Sequence, residues 1–308
     1  MKPKVIVICG PTASGKTSLS IELAKQLNTE IVSADSMQIY KDMNIGSAKP
    51  TLQEMQGIKH YMLDFVSPDE RYSVADYKKQ ATTCIEEILK KGKIPIVVGG
   101  TGLYIDSLIY NIEYDEIEYD EKYRKELEEI AKNEGLDVLY DRAKEIDPEA
   151  IKSISKNDKK RIIRILEIYK ATGKTKTEQE ILSRKNEVPY DYKVFAINMD
   201  RQVLYDRINK RVDIMVEQGL IEEVKMISEK YKKYPTAMQA LGYKEIKQYL
   251  DGNLTKEEAI EKIKQETRRY AKRQLTWFRK NKQTIWLDGM QNVQNNINII
   301  LEGINWRK

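Results

Sequence analysis

The chain has 308 residues, 41% hydrophobic and 33% charged, and 53 Lys and Arg against 48 Asp and Glu leave a net charge of +5. Such a composition excludes a disordered or fibrous chain, and no apolar run approaches the roughly 20 residues of a membrane span, so no membrane association is expected. The sole histidine, His60, excludes a paired-histidine metal site, and two cysteines without metal spacing, Cys9 and Cys84, suggest reduced thiols and a cytoplasmic setting.

The amino terminus passes directly into a short β-branched run, VIVIC at 5–9, so no leader peptide is expected and a buried strand is. GPTASGKT follows at 10–17, and then a stretch to residue 27 with Leu19, Leu23, Ala24 and Leu27 on one helical stripe. Strand, glycine loop and helix form the setting in which a G-x-x-x-x-G-K-[ST] match carries weight. The glycines let backbone N–H groups converge on an anion, and the helix start adds partial positive charge. Lys16 supplies a full charge and the Thr17 hydroxyl suits Mg²⁺. Gly10, Pro11, Thr12, Ala13, Ser14, Gly15, Lys16 and Thr17 are therefore read as a site for a di- or triphosphate.

A second strand at 30–34 ends at Asp35, which the carboxyl-edge rule for α/β sheets places near the phosphate loop, although a cap or loop ion pair would also explain it. Ser36 and Gln38 beside it could read a base edge. Ser73 with Asp76 starts a helix that Gly92 stops. A strand at 94–98 then runs into GGTG, whose N–H groups and Thr101 hydroxyl could face an anion.

From about 114 the texture changes. Residues 113–121 are acidic and polar, and helices are predicted at 123–132, 136–146 and 158–172, the last closed by Gly173. A strand returns at 193–199. The expected organisation is a core over 1–113, a helical insertion over 114–190 and the rest of the core over 191–308. The fold class is α/β, a P-loop NTPase-like core with a parallel sheet and a helical insertion domain.

Asp200 caps a helix to 218 on which Arg207 and Arg211 stand four apart with no acidic residue three or four positions away, an arrangement that an anion between them would relieve. A long helix over 255–281 starts at a Thr255–Glu258 capping box. Its seam is Ile260, Ile263, Tyr270, Ala271, Leu275 and Phe278, and the other face carries Lys262, Lys264, Arg268, Arg269, Lys272, Arg273, Arg279, Lys280 and Lys282 against Glu266. One-sided charge of this kind is the footprint expected for a nucleic-acid backbone. A closing strand is predicted at 284–287. On these residues alone a nucleotide-dependent kinase of a small substrate, with Asp35 as base, stays open. An RNA-binding GTPase-like switch lacks its base-recognition loop.

The motifs GPTASGKT, SADSMQIY, DFVSPDERYSVADY, GGTGLY, RINKRVDIMVEQGLIEEV, QALGYKE and RRYAKRQLTWFR together resemble the tRNA dimethylallyltransferases, in order and over nearly the whole chain. The resemblance implies transfer of a dimethylallyl group from dimethylallyl diphosphate to N6 of adenosine 37, next to the anticodon, with Mg²⁺ assisting. It implies that the P-loop with Arg207 and Arg211 holds the donor diphosphate and Thr17 the metal. Asp35 would be the general base and Thr101 would sit beside both diphosphate and target base, with Lys16 and Arg211 completing the catalytic set. Asp35, Ser36, Met37, Gln38 and Thr101 would contact the target nucleoside. Further tRNA contacts map onto Arg124, onto Asn157, Asp158, Lys159, Lys160 and Arg161, and onto Gln239, Ala240, Leu241, Gly242, Tyr243 and Lys244. The insertion would grip the anticodon stem-loop, and a monomer is expected. His60-Tyr61 departs from the paired histidines of many members, and no Cys/His tail follows Trp306, which points to the bacterial form.

Overall fold

The computed structural model describes residues 2–114 and 120–305. Most of the acidic stretch predicted at 113–121, the first residue and the chain from Trp306 lie outside the described residues. Two compact units are formed, one from 1–109 with 188–308 and the other from 110–187.

The larger unit begins with β1 (Lys4–Cys9), α1 (Lys16–Leu27), β2 (Ile31–Ser33), α2 (Leu52–Met55), β3 (His60–Tyr61), α3 (Val74–Lys90), β4 (Ile96–Gly99) and α4 (Gly102–Ile109). The smaller unit contributes α5 (Glu121–Asn133), α6 (Leu136–Ile146), α7 (Pro148–Ile151), α8 (Lys159–Thr172) and α9 (Lys176–Leu182). The larger unit then resumes with β5 (Asp191–Asn198), α10 (Arg201–Glu217), α11 (Leu220–Lys230), α12 (Tyr243–Leu250), α13 (Lys256–Phe278), β6 (Ile285–Asp288) and α14 (Val293–Gly303).

Six strands form one sheet in the order β3-β2-β4-β1-β5-β6, and every neighbouring pair is parallel. A central parallel strand is covered on both faces, which is why β1 is apolar at Val5 to Cys9 rather than alternating. Leu19, Leu23 and Ala24 of α1 share a core with Ile6 and Ile8 of β1. Leu23 is fully buried, and its truncation to Ala would cost about 3 kcal/mol. Because the chain leaves β1 toward β2 on one side and returns at β5 on the other, the carboxyl ends of these strands open at a topological switch point.

The predicted strands and long helices are present, and the Ser73–Asp76 and Thr255–Glu258 capping boxes both form. Parallel edge strand β3 was not expected, and neither were α2, α7, α9, α11, α12 and α14. The smaller unit has its own core, with Leu127, Leu139, Ala143, Ile162 and Ile165 buried together. There Asp147 caps α7 through the Ala150 N–H and takes two more hydrogen bonds from Thr177. Cys9 and Cys84 are both free thiols. Among the described residues no helix is long and apolar enough to cross a membrane.

Candidate active site

The loop after β1 uses three left-handed residues: Gly10 at φ 149°, Ala13 at 62° and Gly15 at 89°. A Cβ on Gly10 would stand 3.1 Å from the Ile197 carbonyl and 3.2 Å from Ser14 Oγ, so the first position must be glycine. Gly15 ends the loop as the N-cap of α1, which has no side-chain cap and no acidic residue in its first turn. The first N–H groups of that helix therefore remain available to an external anion. Ser14 Oγ is buried without a hydrogen-bond partner in the protein, an orphaned hydroxyl within the cradle. A bound phosphate oxygen would satisfy it.

Lys16 Nζ donates to the Pro11 carbonyl at 2.7 Å, which leaves two further N–H donors for a ligand. Burial pushes its pKa down to about 8, Arg211 acts in the same sense, and Asp35 opposes them. Burial likewise lowers Arg211, with Asp35 again the opposing charge. Lys16 from α1, Arg211 from α10 and Asp35 after β2 thus share one electrostatic environment. Arg207, one turn earlier on α10, is exposed where Arg211 is half-buried.

Asp35 Oδ1 accepts from the Met37 N–H at 2.9 Å and the Gln38 N–H at 3.3 Å. This Asx-type turn fixes the carboxylate while leaving Oδ2 for a proton. The neighbouring strand end is tied in twice. Thr101 Oγ1 accepts from the Ser36 N–H at 3.0 Å and donates to Ser36 Oγ at 3.3 Å, while the Thr101 N–H donates to the Ala34 carbonyl at 3.2 Å.

The GGTG turn has a use that its sequence did not suggest. Its glycines make room for α13: a Cβ on Gly100 would sit 2.3 Å from Gln274 Nε2, and one on Gly102 would sit 2.4 Å from Trp277 Cδ1. Gln274 accepts from the Thr12 N–H at 3.0 Å and donates to the Gly100 carbonyl at 2.8 Å. The Thr12 amide expected to face a phosphate is therefore engaged within the protein. Trp277 Nε1 donates to Asp106 Oδ2 at 2.9 Å, and the Tyr270 phenol lies against the Thr101 and Gln274 side chains. Sequence reading missed Gln274, although a polar residue four after Tyr270 and four before Phe278 on an apolar stripe was the available signal.

The Gln38 amide donates to the Ala48 carbonyl at 3.1 Å and the Ser47 carbonyl at 3.4 Å, so its side chain is spent on its own loop rather than free for a base edge. Ser36 and Met37 are half-buried beside it. In the stretch from Gln239, that residue and Lys244 are exposed and Leu241 is half-buried, but Ala240, Gly242 and Tyr243 are buried. Tyr243 is a core residue whose hydroxyl donates to Glu223 Oε1. Glu223, also missed, accepts from the Asn44, Ile45 and Gly46 N–H groups as well and closes the loop that follows the Asp35 segment.

The basic face of α13 is less one-sided than its sequence. Lys264 pairs with Asp213 at 2.7 Å, Arg268 donates to Asn209 and Lys262 to Gln248, all on neighbouring helices. Arg269 pairs with Glu266. Lys272, Arg273, Arg279, Lys280 and Lys282 are exposed. In the smaller unit Asn157, Lys159, Lys160 and Arg161 are exposed, Asp158 caps α8, and Arg124 pairs with Glu167 at 3.0 Å and Glu128 at 3.4 Å.

Residues 38–281 match the family model described as IPP transferase. A tRNA dimethylallyltransferase of Acetivibrio thermocellus is 54% identical over 285 residues, covering 92% of this chain and 91% of that protein. One from Halalkalibacterium halodurans is 49% identical over 288 residues, covering 94% and 92%. The crystal structure of a full-length tRNA isopentenylpyrophosphate transferase from Bacillus halodurans is similar at a TM-score of 0.74, 44% identity and coverage of 99% and 97% of the two chains. A eukaryotic dimethylallyltransferase acting on tRNA gives a TM-score of 0.79 at 33% identity, with 99% and 80% covered.

Proposed function

The chain belongs to the IPP transferase family, and on that premise we propose that it transfers a dimethylallyl group from dimethylallyl diphosphate to N6 of adenosine 37 in tRNA, releasing diphosphate. Membership sets aside the kinase alternative. The observation that carries the reading is the meeting of an uncapped glycine loop, Lys16 and Arg211 with a fixed carboxylate, Asp35, at the carboxyl edge of one parallel sheet.

Breaking the bond between the allylic carbon and the diphosphate oxygen leaves cationic character on carbon and negative charge on the leaving group. The barrier falls when that negative charge is met by fixed donors. The N–H groups of the loop after Ala13, the Ser14 hydroxyl, the Lys16 ammonium and the Arg211 guanidinium supply them. Arg207, one turn away on α10 and exposed, would add a further cation for the diphosphate.

The adenine N6 lone pair is delocalised into the ring, so the amine attacks well only as it loses a proton. Asp35 Oδ2 takes that proton while the C–N bond forms. Thr101, held to the backbone of Ser36, keeps the carboxylate segment in register with the phosphate loop. Ser36 and Met37 would line the place of the base. A nucleotide in an anticodon loop is unstacked at a cost of only a few kcal/mol, which suits a site that needs the base extruded.

The residues present fit Mg²⁺. Thr17 is exposed in the first turn of α1, and among the described residues no cluster of three or more His, Cys, Asp or Glu could hold a metal alone. Mg²⁺ keeps several waters and takes few protein ligands when it arrives with a phosphate, so Thr17 would hold it together with the donor. Once bound, the ion would neutralise charge on the departing diphosphate. Exposed Lys272, Arg279 and Lys280 on α13 would suit a tRNA phosphate backbone. The smaller unit, by itself, exposes Lys159, Lys160 and Arg161, which have the same chemistry.

Mass spectrometry of unmodified tRNA incubated with the protein, Mg²⁺ and dimethylallyl diphosphate should find one adenosine of the anticodon loop heavier by a five-carbon unit. An unaltered tRNA, competent with a known prenyltransferase, would contradict the proposal.

A further inference from the structure

We propose that Gln274 is a positioning residue for prenyl transfer: it clamps the phosphate loop to the Gly100 turn and so fixes where the diphosphate leaves relative to the attacking amine. The inference rests on reading that loop as the diphosphate site.

Gln274 is 6% exposed, and both halves of its amide are used. The carbonyl takes the Thr12 N–H at 3.0 Å and the amino group reaches the Gly100 carbonyl at 2.8 Å. Its two partners follow different strands, β1 and β4. Among the described residues no backbone hydrogen bond joins the two loops, which begin where the strands end at Cys9 and Gly99. Gly100 must lack a side chain for the contact to exist, since a Cβ there would occupy the space of Gln274 Nε2.

One turn of α13 therefore touches both loops. Gln274 holds Thr12 and Gly100, while Tyr270 lies against Thr101, which in turn holds the Ser36 N–H beside Asp35. The leaving-group cradle and the base are carried on separate loops, and such loops hold reacting atoms in line only when something stiffer fixes both. A helix docked across them does so. Gln274 is assigned no contact with either substrate, since its amide is directed at the Thr12 N–H, the Gly100 carbonyl and the Tyr270 phenol. It acts through the loops it joins.

Gln274→Met removes both hydrogen bonds at similar volume. Gln274→Glu keeps an acceptor for Thr12 but sets an anionic oxygen against the Gly100 carbonyl until the carboxyl is protonated. A protonated Glu restores both bonds. Gln274→Met should lower kcat for dimethylallyl transfer and raise the donor KM, together by about tenfold or more in kcat/KM, with tRNA affinity unchanged. The ratio of Gln274→Glu to wild-type kcat/KM should climb as pH falls, a rescue that general loss of core stability would not produce.

Wild-type constants in Gln274→Met, or a Gln274→Glu ratio flat with pH, would overturn the inference. Calorimetric titration with inorganic pyrophosphate and Mg²⁺ reads the clamp without prenyl transfer. About tenfold weaker binding by Gln274→Met is expected, and equal binding would overturn the inference. A wild-type protein that prenylates no tRNA would instead contradict the proposed function, leaving the pyrophosphate titration to decide on Gln274.

Discussion

The Lys16 ammonium donates to the carbonyl of Pro11 at 2.7 Å, folding the loop's own cation back over its backbone. Burial and the nearby Arg211 hold its pKa down to about 8, against the pull of Asp35. Its charge is thus lost just above neutrality in the free protein, whereas ordinary lysines keep theirs.

Pyrophosphate affinity should therefore fall by up to about tenfold per pH unit above about 8, because binding needs the protonated ammonium and the free protein loses it there. Lys16→Arg, whose guanidinium stays charged, should show no such break. Calorimetric titration across this range checks it, and matching pH dependence in the two proteins would refute the role given to the ammonium.

Glu223 is the second test. One carboxylate, 7% exposed, accepts from Asn44, Ile45 and Gly46 N–H groups at 2.9, 2.8 and 3.1 Å and from the Tyr243 hydroxyl at 2.5 Å. Glu223→Ala strands three amides and should cost about 3 kcal/mol or more in urea unfolding, against about 1 kcal/mol for Tyr243→Phe. Equal costs would show that the loop does not depend on the carboxylate.

Glu30 makes stability depend on pH. Burial raises its carboxyl, but hydrogen bonds from Lys91, Tyr61 and Lys93 outweigh that and hold its pKa at about 2 against an ordinary 4.5. A depressed folded value means that the contribution is complete above the unfolded value of 4.5 and is lost as pH falls from there toward about 2. Lys91 is 41% exposed, so solvent screening reduces the worth to about 2 kcal/mol. Glu30→Gln should be less stable than wild type by about that amount at neutral pH, with the gap narrowing below pH 4.5. A gap that widens on acidification would reverse the assignment.

The exposed cations of α13 should act through phosphate neutralisation. Changing Lys272 and Arg279 to Gln should weaken tRNA binding and reduce the slope of log affinity against log salt by about 1.5. Pyrophosphate binding should not move. An unaltered salt slope would place the tRNA elsewhere.

Strongly local features were legible in the sequence. The β1 run, the glycine loop and the stripe of α1 lie within 24 consecutive residues (4–27), and the capping boxes at Ser73 and Thr255 close over three. The two-residue strand β3 offers no period to read and exists only because His60 and Tyr61 pair with β2. Gln274 and Glu223 were missed for a related reason. Their partners lie 262 and 174 positions away for the former and 177 to 179 away for the loop of the latter, so only the folded chain brings the groups together. The same distance explains α13: read alone, Lys264 and Arg268 join a basic face, but Asp213 and Asn209 of α10 claim them.

In the proposed reaction Asp35 is the proton acceptor opposite a held diphosphate. Asp35→Asn keeps an acceptor for the Met37 and Gln38 N–H groups but cannot take a proton. Single-turnover prenylation of tRNA by this variant should be slower by about 100-fold or more, with pyrophosphate and tRNA affinities as in wild type. Transfer at the wild-type rate would contradict the account.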